Sequence, residues 1–168
     1  WVPNTGGGAY PVFCYDEETQ FLFDQLNDEK RDLYFEEYPD REEDYSGDEK
    51  TQYDRYAGFL MDEKLNQAAA YRLEAALVNG YSGDAIPGEG TLKDYLEKIS
   101  YRKNSSCREL YLRGREDADD AFAKLIGKTQ DKYDSSGKRK DSLDYYRRIG
   151  MAHAEKDGEH YFMVIRSE

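Results

Sequence analysis

Tyr161-Phe162-Met163-Val164-Ile165 is apolar at every position. A strand with one wet face alternates apolar and polar residues, so an unbroken apolar run reads as a strand buried on both faces. Asp157-Gly158 just before it is a strong turn signal, which makes Arg148–Glu155 and Glu159–Arg166 the arms of a β-hairpin. Such an arm needs cover on both sides, and helices are the available cover. The fold class that follows is α/β: a three-layer α-β-α sandwich with a small, largely antiparallel sheet between helices.

The helices can be found by period. Leu65, Ala68, Ala69, Arg72, Leu73, Ala76 and Leu77 recur at steps of three and four between Asp62 and Asn79, and Asn79-Gly80 is a stop signal. Asp16-Glu17-Glu18 places acids at the positive end of a first helix, with Phe21, Leu22, Gln25, Leu26 and Glu29 along one side. Thr91 caps a short helix carrying Leu92, Tyr95, Leu96 and Ile99. A further helix over 115–128 turns Ala118, Ala121, Phe122, Leu125 and Ile126 inward. Arg108–Leu112 reads as a short strand ended by Gly114. Residues 1–15 read as an extended segment or linker, their Gly-rich start resembling a trimmed mature terminus. Residues 16–168 form one domain. Residues 34–56, dense in Glu, Asp and Tyr, read as a surface insertion.

Apolar residues make up 38% of the chain and charged residues 36%, a balance that disorder shares, but 16 Tyr and 7 Phe supply the large side chains a core needs. The net charge of −12 repels phosphate backbones and anionic surfaces, which argues against nucleic acid as a partner. No apolar run reaches the roughly 18 residues of a membrane span. Cys14 and Cys107 are the two cysteines; they form one disulfide in an oxidising compartment or remain two thiols.

Four segments and their order carry a family resemblance. Leu26-Asn27-Asp28-Glu29-Lys30-Arg31 looks like an Asn-x-x-Arg signature with the arginine one place late. Leu60-Met61-Asp62 through Ala68-Ala69 is similar to a "Leu…Asp…Leu-x-x-Ala-Ala" helix. Arg108-Glu109-Leu110 with Gly114 looks like a Gly-Glu-Asn segment. Ser135-Ser136-Gly137-Lys138-Arg139 through Tyr146-Arg147-Arg148-Ile149-Gly150 resembles a "Ser-Pro-Gly-His-Arg…Tyr-x-x-Ile-Gly" stretch before a hairpin. In this order they resemble the CAP superfamily, the SCP-like domains of cysteine-rich secretory proteins, antigen 5 and plant pathogenesis-related proteins, in a divergent bacterial type.

The resemblance implies an exported domain, extracellular or at the cell surface, with a central cleft. Family members line that cleft with two histidines and acidic residues that can hold a divalent metal. The histidine positions fall here near Asp84 and at Lys138, and only Glu109 keeps its type. A protonated lysine has no lone pair for a metal, so no metal and no cofactor is assigned, and Asp84, Glu109 and Lys138 are expected to form an ionic cluster. Tyr45, Tyr53 and Tyr111 are candidate rim contacts, because tyrosine offers rigid amphipathic area at low entropic cost. His153 and His160 fall near each other across the hairpin, with Glu155 placed to face His160; a histidine pair with a carboxylate can hold a metal, but residues flanking a surface turn read first as solvated. No nucleophile has a base in reach of its sequence pattern. The function expected is a non-catalytic binding module for a lipid, glycan, peptide or protein; the alternative is a hydrolase using Glu109 and Asp84 as a carboxylate pair.

Overall fold

The structure is a computed structural model that describes residues 2–4, 12–39, 57–101, 106–129 and 146–168, with side chains described at 15–39, 57–101, 106–126 and 146–168. Two short strands, β1 (Val2–Asn4) and β2 (Val12–Cys14), pair antiparallel. They lead into helix α1 (Glu17–Glu37), strand β3 (Leu60–Met61) and helix α2 (Glu63–Asn79). After the small β4 (Ala85–Ile86) and β5 (Gly90–Thr91) come α3 (Leu92–Lys98), β6 (Cys107–Arg115) and α4 (Ala118–Thr129). The chain ends in β7 (Arg148–Lys156) and β8 (Glu159–Ser167).

The main sheet has strand order β3-β7-β8-β6. Only β3 runs parallel to its neighbour; β7–β8 and β8–β6 are antiparallel. The fold is therefore mixed helix and strand around a small sheet, as the sequence implies. The apolar run on β8 divides its residues by parity. Phe162 and Val164 join a core with Leu22 and Leu26 of α1 and Ala118, Ala121 and Leu125 of α4. Met163 and Ile165 join a second core with Leu65, Ala68, Ala69 and Leu73 of α2 and Leu92 and Leu96 of α3. Each face of β8 thus meets its own pair of helices.

Several boundaries differ from expectation, each for a local reason. The segment 34–56 does not begin as a loop: α1 runs through Glu37, and Tyr34 and Phe35 are buried against Ala57. The inward stripe is Thr19, Leu22, Leu26, Lys30 and Tyr34, not the Phe21 side; Phe21 is 49% exposed. Lys30 hides this continuation, since a lysine on a helix reads as surface. Its ammonium donates to the Ala57 carbonyl at 3.3 Å and lies 5.4 Å from the Phe59 ring centre, while its stem packs inside. Residues 40–56, with Tyr45 and Tyr53, lie outside the described residues. β6 extends past Leu112 to Arg115, and Gly114, at φ 65°, sits in a register irregularity instead of ending the strand. The following helix therefore starts at Ala118, not Arg115.

Polar side chains fix the helices to the sheet. Asp62 caps α2 through Leu65 N and also accepts from the Tyr101 hydroxyl at 2.8 Å. Asn66 Oδ1 accepts from Tyr15 at 2.6 Å and from Met151 N at 2.9 Å, joining α2, β7 and the segment before α1. Asn27 Oδ1 accepts from Phe59 N at 2.6 Å, so the Asn of the first-helix motif grips the strand leading to α2.

Gly150 sets the closest helix–sheet approach. A Cβ there would stand 2.1 Å from the Leu65 carbonyl carbon and 2.4 Å from Asn66 N. Those are backbone atoms of α2, so the helix itself would have to retreat. Gly150→Ala is expected to destabilise the domain by about 3 kcal/mol, read by urea unfolding. A cost within about 0.5 kcal/mol, the range of ordinary surface changes, would show that α2 is not packed this tightly on β7.

Candidate functional site

Glu109 projects from β6 toward α2, and its carboxylate is 4% exposed. Its cationic partner is Arg72, whose side chain has no exposure. Arg72 Nε donates to Glu109 Oε2, and Arg72 Nη2 donates to Oε1 at 3.0 Å, a two-pronged pairing of planar groups. The same Nη2 reaches the Gly90 carbonyl at 3.3 Å. The Tyr81 hydroxyl adds a third donor, 2.9 Å from Oε1. Of the three residues expected to cluster, Glu109 is buried in an ion pair, and the pair is with Arg72; Lys138 lies outside the described residues. A signal for this was present: Arg72 is the one charge on the apolar stripe of α2, and a buried arginine needs a carboxylate.

Asp84 sits elsewhere in the cluster's orbit. It occupies the turn after Ser82 at φ 65° and is exposed. Both carboxylates bear on Tyr81, whose hydroxyl is pushed well above its usual range by burial, then by the charge and hydrogen bond of Glu109, then by the charge of Asp84. Tyr81 is the residue the sequence reading missed.

Around this anchor lies a row of half-buried tyrosines. The rings of Tyr81 and Tyr111 are 5.0 Å apart, and those of Tyr111 and Tyr161 are 6.4 Å apart at 28°. Arg113 stands 5.6 Å from the Tyr111 ring centre and donates to the Tyr81 carbonyl at 3.4 Å. Tyr111, expected at the rim, is thus central to the row. A second pair, Tyr71 on Tyr95, stacks at 5.2 Å with the Tyr71 hydroxyl 3.0 Å from both oxygens of Glu89.

The histidines are not solvated as expected. His153 falls opposite Phe162 on the α1 side of the hairpin, its side chain 8% exposed. Its Nδ1 is 2.8 Å from Asp16 and its Nε2 2.8 Å from His160 Nδ1. Asp16 also caps α1 through Thr19 N. Burial alone would raise the Asp16 carboxyl; the hydrogen bonds from His153 and Thr19 outweigh it and hold the group well below the usual carboxylate range. Its stabilising contribution is therefore full above about pH 4 and fades as pH falls below that. Glu155 does stand opposite His160 in the register.

Cys107 is half-buried on β6, and the side chain of Cys14 lies outside the described residues, as does any pairing between them. Among the described residues no helix is long and apolar enough to cross a membrane, and no group of three or more His, Cys, Asp or Glu side chains is placed to hold a metal ion. No family model, curated protein or solved structure matches the chain.

The two carboxylates should separate on mutation. Tyr81→Phe deletes a hydrogen bond to a buried charge and is expected to cost about 2 kcal/mol, whereas Asp84→Asn at an exposed turn should stay within about 0.5 kcal/mol. Chemical denaturation of both variants checks this. Equal costs would contradict the placement of Glu109 inside and Asp84 outside.

Proposed function

We propose that the protein is an exported, non-catalytic binding module on a CAP-like α-β-α scaffold, with its ligand held by Tyr81, Tyr111 and Tyr161 beside Glu109. The observation that carries this is the engagement of Glu109: three donors from Arg72 and Tyr81 occupy its two oxygens. A general base needs a lone pair aimed at the proton it removes, and a carboxylate held this way is spent on position. The hydrolase alternative needs Glu109 and Asp84 as a working pair, and Asp84 is an exposed turn residue.

The scaffold reading is supported by where the motif matches fall: Asn27 on α1, Asp62 at the start of α2, Glu109 on β6 and Ile149-Gly150 at the start of β7, in the order the resemblance requires. Export follows from that resemblance alone. The tyrosine row supplies aromatic faces and hydroxyls held on a sheet, the combination that lets a site contact a ligand without ordering long side chains. The charge of −12 directs the choice toward neutral or cationic ligands.

Nuclear magnetic resonance titration against chitohexaose, cellohexaose, a zwitterionic lipid micelle and an oligolysine–tyrosine peptide tests the reading. A bound member should shift residues 81–90, 107–115 and 159–163, and Tyr111→Ala should weaken it about tenfold or more, as expected for a central aromatic contact, with unfolding unchanged in shape. Cleavage of any panel member that Glu109→Gln abolishes while remaining folded would instead establish the hydrolase.

A further inference from the structure

We propose that Asp16, His153 and His160 form an acid-released latch between the start of α1 and the turn end of the β7–β8 hairpin. It stays closed while the histidine pair is neutral or carries one added proton, and it opens with the second. The observation that carries this is the contact between the rings. His153 Nε2 and His160 Nδ1 are 2.8 Å apart, and the ring planes differ by 18° with their centres 5.0 Å apart. Rings set edge to edge in nearly one plane aim the N–H of one along the lone pair of the other, which is a hydrogen bond. Such a contact has room for one proton.

The rest of the chain decides where added protons go. Asp16 caps α1 and lies 2.8 Å from His153 Nδ1. With that carboxylate accepting from Nδ1–H, His153 Nε2 accepts from His160 Nδ1–H while both imidazoles are neutral. A first added proton enters at His160 Nε2, the one ring nitrogen outside the chain, and both hydrogen bonds survive. A second has only His153 Nε2 or the Asp16 carboxylate to enter. On Nε2 it sets N–H against N–H and breaks the ring contact. On Asp16 it removes the negative charge that His153 Nδ1–H and Thr19 N bind, and weakens both bonds.

The neighbouring charges favour His160 as carrier of the first proton. Glu155 stands opposite it on β7, and Arg115, opposite it on β6, has its guanidinium 3.7 Å from Asp120 of α4. The neighbours of His153 are Asp16 from α1 and the uncharged Phe162 ring, 4.7 Å away, from β8. An imidazole released to water titrates at about pH 6.5. Below that pH the open state therefore binds two protons and the closed state one. The closed state holds fewer, so acid favours opening, by up to about tenfold in the opening constant per pH unit for a difference of one proton. The contribution of Asp16 fades only below about pH 4, so the histidine window lies above it.

The test follows the imidazole nitrogen-15 resonances and backbone amides of the full chain from about pH 7.5 to about pH 4.5. One of the four ring nitrogens should stay unprotonated until the latch opens, and its protonation should coincide with shifts of the amides at 16–19, 153–155 and 160–162. His160→Gln, at the half-buried open end of the hairpin, supplies an amide that either accepts from or donates to His153 Nε2, which removes the conflict between protons. The urea unfolding constant of the native chain should therefore rise against that of His160→Gln by up to about tenfold per pH unit between about pH 6 and about pH 4.5, with the surface acids cancelling in the ratio. All four ring nitrogens protonated at about pH 5 with those amides unmoved, or a ratio flat across the window, would overturn the proposal.

Discussion

A guanidinium and a carboxylate removed from water each lose several kcal/mol of hydration, a loss that only close, multiply hydrogen-bonded pairing offsets. Arg72 and Glu109 meet that condition, and the way they meet it organises one side of the domain. The guanidinium leaves α2, the carboxylate leaves β6, the Tyr81 hydroxyl comes from the loop after α2, and the Gly90 carbonyl comes from the strand before α3. Four segments separated in sequence are fixed by one charge pair. An apolar contact in its place would hold the layers equally well, but would not hold a loop at a set height over the sheet. The pair therefore does more for position than for net stability.

Alternation along β8 then sets two polar groups back to back. His160 and Tyr161 are neighbours on opposite faces near the turn, where helices no longer cover the sheet fully. Tyr161 extends the aromatic row on the α2 side. His160 completes the Asp16–His153 chain on the α1 side. Further along, the same alternation feeds Phe162 and Val164 to one core and Met163 and Ile165 to the other. One strand thus builds a dry middle and two differently equipped ends.

The architecture was legible where hydrophobic pattern decides it. The two-face run of β8, the Asp157-Gly158 turn and the stripe of α2 each predict what is observed, because burial imposes period. The sequence misled where a charged residue is buried. Lys30 broke the apparent stripe of α1 and moved its end too early, although its stem and ammonium both find partners. Arg72 was legible as an inward-facing residue, but its partner was not, since pairing across α2 and β6 is a tertiary fact. Glu109 was found through a resemblance and Tyr81 through nothing local. His153 was misread because a residue near a turn looks exposed; only the register opposite Phe162 reveals it as enclosed.

The claim that the Arg72–Glu109 pair holds the site together is tested most directly by a double-mutant cycle in urea. Arg72→Met alone strands a buried carboxylate and Glu109→Gln alone strands a buried guanidinium, so each should cost about 3 kcal/mol or more. The combined variant should cost about 3 kcal/mol less than the sum of the two. Costs that add to within about 0.5 kcal/mol would mean that the two side chains act independently, and that the loop carrying Tyr81 is held by something else.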